Sequence, residues 1–528
     1  MKKQPLNDLR SIICFCLIAG SLLSSLLFFA IQLRLMRVEV LRDYGEGHTL
    51  WMSQQITNLT IAYRPLDGLP YVIFPYPPLY LIASKIVSLG IGDLLLSGRI
   101  VSLVSTCGLA ALIGLLVFQS IPRSFSRLWR LASGGLATSL VFSTASVIGW
   151  ASLMRVDMLG IMLMYAGLAV YIRSGKKRSG QYFSAILFVM AVFTKQTLLS
   201  APLACLIFGL FAYPRTTIRV YSFALLLGLA GLCICYWLTN GGFLKNILNY
   251  NLNPFSWEIV FAQFSSHLRL NISLKLLLSL TSLAALYNAK SIRRNGWKQF
   301  ILLKSSKPYS RAILIGTINA ALAGLLAISI GKMGSIYNFF LAWDVSLCLL
   351  ATLYLFRLLA TWHADHPRKK GYRLILLSSL ILLFVPSRWV ISTVTEDFSR
   401  QIKEEAQLVH LIRAAPGPIL SDNMLLLTKA GRKIEAEPAT LSFLTMANGW
   451  DERPYLRLFE SSYFSLIVTT PLMHAARYSP AVVSSIEKNY QATGSIGSYL
   501  IYEPKAAKRH PDGSSNRPSL FPSVINAP

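Results

Sequence analysis

Charge is scarce in this sequence, and negative charge is scarcer still. Only 14% of its 528 residues are Asp, Glu, Lys or Arg, with 23 acids against 51 basic side chains; soluble domains carry about 25%. A mean hydropathy of +0.51 excludes an ordinary soluble enzyme. The net charge of +28 is no nucleic-acid footprint, because the basic residues sit in short connections between apolar runs. There the positive-inside rule expects them on the cytoplasmic face. Cysteine is sparse too: seven, at 14, 16, 107, 205, 233, 235 and 348, all within apolar segments. That excludes a disulfide framework, and neither ligand spacing nor neighbouring histidines support zinc. Three further features are lacking: a Gly-rich phosphate loop, a DxD motif near the cytoplasmic face, and an internal repeat. The first two absences argue against a nucleotide-sugar site. The third argues against a transporter built from repeats.

What is there is a succession of apolar runs, each of the roughly 17–25 residues that cross hydrocarbon as a helix. The first, over 11–31 after Met1-Lys2-Lys3, exceeds the h-region of a signal peptide and has no convincing cleavage site, so it reads as an uncleaved span. The expected spans are 11–33, 94–118, 131–149, 156–172, 182–194, 196–212, 220–238, 268–288, 312–330, 340–357 and 374–391. With a cytoplasmic N-terminus, the inner segments are 123–130, 173–178, 215–219, 290–311 and 357–373. Together with the first ten residues these hold many Lys and Arg but only two acids, Asp8 and Asp365, which fixes the orientation. About eleven transmembrane helices then leave the C-terminal part outside.

Two outer connections are more than turns. The first, 34–93, contains Asp43-Tyr44-Gly45-Glu46-Gly47-His48, a helix-like stretch over 49–59, and Tyr76-Pro77-Pro78-Leu79-Tyr80 leading into 81–89. Paired prolines suit a helix start, and the second helix is too short to span, so both are expected at the membrane surface. The other connection is Gly331-Lys332-Met333-Gly334-Ser335-Ile336-Tyr337-Asn338. Beyond Ser392 the composition turns soluble. A charged helix over 396–414 stops at Pro416-Gly417-Pro418, and β-type runs at 418–421, 433–436, 464–470 and 498–502 alternate with helical patterns. The expected domains are a transmembrane unit over 1–391, an extracytoplasmic α/β domain over 392–504 and a disordered tail over 505–528.

Acids at membrane depth are costly and mark sites. Asp43, Glu46, Asp157 and Asp344 qualify, and the cations Arg99, Arg155, Lys195 and Lys332 fall on the same outer side. A carboxylate can take a proton from a hydroxyl, and cations can hold a phosphate leaving group. The bland alternatives are definite: Asp43 and Glu46 as helix cap and loop charge, Arg155 and Asp157 as each other's partners, Arg99 snorkelling to headgroups. Lys195 and Lys332 could be interfacial anchors, His48 a loop residue, and Asp344 a helix-packing partner.

The order of these motifs carries a resemblance. Asp43-Tyr44-Gly45-Glu46-Gly47, then Tyr76-Pro77-Pro78-Leu79-Tyr80, then Gly98-Arg99-Ile100-Val101-Ser102 resembles GT-C glycosyltransferases. The nearest are protein O-mannosyltransferases, the lipid A aminoarabinose transferase and uncharacterised bacterial members. Arg155-Val156-Asp157, Phe193-Thr194-Lys195-Gln196-Thr197, Gly334-Ser335-Ile336-Tyr337-Asn338-Phe339 and the stretch 418–470 continue it.

The resemblance implies a GT-C fold in a bacterial inner membrane and inverting transfer of a sugar from a polyprenyl-phosphate donor to an envelope glycan, lipid or protein. It implies a first-loop carboxylate as the base, with Asp43 matching that position best and Glu46 second. From their place on the outer side Asp157 is the next catalytic candidate, Arg99, Lys195 and Lys332 are the candidate donor-phosphate contacts, and His48, Tyr76, Tyr80 and Arg155 the candidate acceptor or sugar contacts. No cofactor is required, a divalent metal is compatible, and membrane lipids are partners while nucleic acid is not. The aminoarabinose transferases place a Lys before Pro-Pro-Leu, where this chain has Tyr76, so the phosphate grip must come from elsewhere. The rivals are a lipid-linked sugar flippase or transporter and a non-catalytic assembly factor.

Overall fold

The structure is a computed structural model that describes residues 4–270, 307–360 and 396–505, with three isolated positions between them. Nearly all of the expected span at 268–288, the whole of that at 374–391, and the tail after Lys505 lie outside the described residues. So do most of the basic segments at 290–311 and 357–373. The helices follow as α1 (Gln4–Met36), α2 (Tyr44–Gln55), α3 (Leu79–Ile91), α4 (Leu94–Ser120), α5 (Arg127–Ser143), α6 (Ala145–Trp150), α7 (Asp157–Ser174), α8 (Arg178–Val192), α9 (Ser200–Ala212), α10 (Pro214–Leu238), α11 (Trp257–Leu270), α12 (Pro308–Ala327) and α13 (Leu341–Ala360).

Among the described residues, six stretches are long and apolar enough to cross a membrane: Cys14–Met36, Leu94–Ser120, Asp157–Ser174, Pro214–Leu238, Pro308–Gly331 and Tyr337–Phe356. Three expected spans differ. The run at 131–149 breaks at Thr144, whose backbone is extended and whose hydroxyl turns back to Leu140 O at 2.8 Å, a bond that competes with helix continuation. The runs at 182–194 and 196–212 become α8 and α9, of 15 and 13 residues. At about 1.5 Å per residue, each falls short of a hydrocarbon core about 30 Å thick.

The helices bury one continuous core drawn from α1, α4, α5, α7, α8, α9, α12 and α13. At one end of this bundle, Arg130 donates to Phe118 O, Arg311 Nε to Ile172 O and Gln181 to Gly175 O. Phe125 packs on Phe356 there as well. The connections gathered at this end carry Arg123, Arg127, Lys176, Lys177 and Lys307. At the other end, α2 and α3 of the first connection meet the C-terminal residues.

Both helices of the first connection start earlier than expected. Asp43 Oδ1 accepts from Gly45 N at 3.0 Å and caps α2, so the acidic motif itself is helical. Pro78 precedes α3, and Gly92 ends it at φ +83°, a left-handed conformation that glycine takes without strain.

The C-terminal part is built from α14 (Ser399–Ala414), β1 (Ile419–Ser421), α15 (Met424–Lys429), α16 (Pro438–Met446), α17 (Arg453–Glu460), β2 (Leu466–Thr469), α18 (Pro480–Asn489), β3 (Tyr490–Ile496) and β4 (Tyr499–Pro504). The mixed sheet has the order β1-β2-β4-β3. β1 runs parallel to β2, with Ile419 opposite Leu466, and β4 runs antiparallel to both β2 and β3. The run at 433–436 is not a strand; its last residue, Ala436, makes an isolated bridge to Tyr71 of the first connection. β3 has no place among the expected strands, because Tyr-Gln-Ala-Thr-Gly-Ser-Ile lacks an apolar alternation.

The C-terminal part is not a free-standing unit. Leu50, Trp51, Met52, Phe74 and Tyr80 share a core with Leu408, Ile419, Leu425 and Val468. Leu66, Tyr71 and Ile73 share another with Leu420, Phe459 and Ile467. The contact is close: a Cβ on Gly47 would lie 2.8 Å from Leu425 N.

Candidate active site

Two sets of charges stand where the bundle meets the C-terminal part. The first is closed. Arg99, near the start of α4, is fully buried and pairs bidentately with Glu46, Nε to Oε1 and Nη2 to Oε2, both at 2.9 Å. Its Nη1 donates to Val38 O, and Met154 N donates to Glu46 Oε1 at 2.9 Å. A bidentate, fully buried pair with its remaining valences taken by backbone is a strut. Glu46 and Arg99, expected as a base and a phosphate ligand, are here engaged with each other and with backbone groups.

The second set is a row that stays partly open. Asp43 Oδ1 lies 3.2 Å from Arg155 Nη1, and both side chains are about one-tenth exposed. Arg155 precedes α7, where a bond from its own N–H to Leu153 O at 2.7 Å tightens the chain. Its Nη2 donates to Tyr76 Oη at 3.3 Å, and its Nε stands 4.0 Å from Asp157 Oδ2. Asp157 opens α7, where a negative charge suits the helix N-terminus. Its Oδ1 takes Lys195 Nζ at 2.6 Å and Asn338 Nδ2 at 3.0 Å. Lys195 follows the C-terminal end of α8 and lies 4.7 Å from the Phe339 ring centroid. Three connections, before α7, after α8 and before α13, thus converge on one carboxylate.

Burial, opposed by the Arg155 charge, leaves the Asp43 carboxyl above its ordinary range; removing a carboxylate from water disfavours its charged form. The Arg155 guanidinium is held cationic despite burial by Tyr76 and by Asp43 and Asp157.

The other expected contacts divide. Tyr76 is in the row. Tyr80 is not: it is fully buried and donates to Gly98 O at 2.8 Å, fixing α3 to α4. His48 is buried too, with Nε2 2.7 Å from Ile73 O. Burial lowers its pKa, so the neutral ring donates to that carbonyl. In this structure the polar atoms of both face backbone carbonyls. Lys332 makes no ion pair among the described residues. It lies on the same connection as Asn338, held where Met333 N donates to Pro254 O at 2.9 Å. Asp344 is a packing partner, taking Ser146 Oγ and His267 Nε2.

Sequence reasoning quoted Gln196 and Asn338 within motifs and gave them no part. Their signal was an amide at the mouth of an apolar run. It also missed the clamp beside Asp43: Tyr44 Oη donates to Glu437, which caps α16, and the Arg477 guanidinium sits 3.7 Å above the Tyr44 ring. Nothing in the sequence pairs residues that far apart.

No protein-family model and no curated protein matches the chain. Solved structures do. ArnT from Cupriavidus metallidurans, bound to undecaprenyl phosphate, aligns with a TM-score of 0.54 at 12% identity, over 92% of this chain and 98% of that one. The Archaeoglobus fulgidus oligosaccharyltransferase in its apo form gives 0.53 at 11% identity, over 93% and 75%. Over most of its length the chain is therefore structurally similar to GT-C superfamily membrane glycosyltransferases. At such identities the likeness establishes the fold.

Proposed function

We propose that this chain is an integral-membrane, inverting glycosyltransferase that moves a sugar from a polyprenyl-phosphate donor to an envelope acceptor, on the extracytoplasmic face of a bacterial inner membrane. The observation that carries it is the row Asp43–Arg155–Asp157–Lys195, on a fold shared with proteins of which one was solved with undecaprenyl phosphate bound. The gathering of basic connections at the opposite end of the bundle supports the orientation.

In this reading Asp43 is the base. Both of its polar contacts fall on Oδ1, so Oδ2 takes the acceptor hydroxyl's proton as the acceptor oxygen attacks the anomeric carbon. The bond from that carbon to the phosphate oxygen breaks, its electron pair leaves with the phosphate, and configuration inverts. Lys195 spends one of its three N–H bonds on Asp157. With Lys332 it carries the phosphate charge. Arg155 orients Asp43, and Asp157 holds Lys195 and Arg155.

Membranes containing the chain, given polyprenyl-phosphate sugars labelled in the sugar, are expected to move label out of the donor fraction. Equal movement without the chain would refute the reading. The rate should also fall as pH drops. An elevated carboxyl keeps its proton to higher pH, so the acidic half-maximum belongs above the ordinary Asp value of about 3.9. A pH–rate profile of kcat/KM for transfer, flat to below that value, would remove Asp43 as the base.

Gly45→Ala tests the orientation. A Cβ there would lie 1.2 Å from Arg155 Nη1, so Arg155 must leave Asp43. A shift of about 1 Å in a catalytic group can cost about 10²-fold, and kcat is expected to fall by that order. Gly135→Ala, whose Cβ meets nothing nearer than 3.6 Å, should leave kcat unchanged. Equal kcat for the two variants would show that Arg155 does not position the base.

A further inference from the structure

Four polar atoms in and around the row are buried with no hydrogen-bond partner among the described residues: Arg155 Nε, Asp157 Oδ2, Asn338 Oδ1 and Gln196 Oε1. The amide orientations are dictated by chemistry. Asn338 must turn its NH2 to the Asp157 carboxylate, and Gln196 must turn its NH2 to Pro75 O, at 2.9 Å. Each carbonyl oxygen is then left over. An unsatisfied buried polar group costs about 1–3 kcal/mol, and three on the linked residues Arg155, Asp157 and Asn338, with a fourth on the neighbour of Lys195, call for an explanation.

We infer that these atoms form the subsite for the hydroxyl groups of the transferred sugar ring; this rests on the function proposed above. Three of the four are acceptors, so they repel phosphate oxygens and require a ligand that brings hydrogens. The fourth decides which kind. Arg155 Nε and Asp157 Oδ2 are 4.0 Å apart, too far to bond each other but spaced for one group that accepts from the first and donates to the second. A hydroxyl does both. An ammonium has no lone pair and cannot take the Arg155 hydrogen, so this position selects a neutral, hydroxylated sugar over one aminated there. Asn338 Oδ1 and Gln196 Oε1 then accept from further hydroxyls of the ring. Asn338 and Gln196 are thus specificity residues for the sugar, distinct from the cations assigned to the phosphate.

The test uses the full chain in lipid nanodiscs and two probes: undecaprenyl phosphate, and a panel of undecaprenyl-phosphate hexoses. Asn338→Leu and Gln196→Met are each expected to weaken the best-bound sugar lipid about tenfold, the loss of roughly one hydrogen bond. Gln196→Met, which touches neither Asp157 nor Lys195 through its side chain, is expected to leave sugar-free undecaprenyl phosphate unchanged. Asn338→Ser, a milder change, serves if the Leu variant does not fold. Removing one ring hydroxyl from the sugar should cost the wild type the same factor and cost the matching variant nothing more. In Gln196→Met, equal loss for both probes, or loss for neither, overturns the subsite while lipid-phosphate binding stands. A wild type that binds the sugar-free lipid but no sugar lipid overturns it as well. A wild type that binds neither probe overturns the proposed function and the subsite together.

Discussion

Asp43→Asn is expected to cut sugar transfer by about 10²- to 10⁴-fold, the range attributed to a positioned general base, without unfolding the protein. Asn is as good a helix cap as Asp, so the bond to Gly45 N that starts α2 survives the exchange. What disappears is the oxygen that can accept a proton and the charge facing Arg155. The diagnostic comparison is kcat at matched melting temperature. A variant that melts like the wild type and transfers at a comparable rate would mean that another group takes the proton, and Asp157 would be the first to examine.

Arg99→Met should instead act on stability. It strips the partner from a carboxylate that is fully buried, and it frees the carbonyl of Val38 as well. Breaking one side of a buried pair costs about 3–5 kcal/mol, so unfolding in detergent should shift strongly. Adding Glu46→Gln to the same chain should recover part of that loss, because the stranded charge is then gone. If Arg99→Met unfolds like the wild type, the pair is not the closed strut described above, and Glu46 returns as a candidate base. The two substitutions thus separate acids only three residues apart in sequence: one whose loss is seen in rate, one whose partner's loss is seen in melting.

The membrane architecture was legible because it is written in composition. Long apolar runs and basic connections need no tertiary knowledge, and all six stretches long enough to cross among the described residues overlap expected spans, with only the start at Pro214 differing by more than a few residues. Where the reading failed, the failure was local. Thr144 divides a run whose hydropathy alone reads as continuous, and β3 carries Gln, Thr, Gly and Ser on a strand defined by its partner rather than by its own pattern. The site was legible as a set of residue types and not as pairings. Asp43, Glu46, Arg99 and Arg155 all stood out as costly charges. Which carboxylate closes on which guanidinium depends on how α2 docks against α4 and the link before α7, and that is long-range information.

The seam between the first connection and the C-terminal part also bears on how the molecule comes into being. Tyr44 is tied to Glu437, 393 residues later, Tyr71 is bridged to Ala436, and α2 lies directly on the backbone at Leu425. During synthesis, Asp43 leaves the ribosome long before Leu425 and Glu437, which seat its helix. Until then Leu50, Trp51 and Met52 lack the part of their core that Leu408, Ile419, Leu425 and Val468 supply. The nascent chain therefore carries Asp43 unseated until residues 408–468 have been made and have folded back over the first connection.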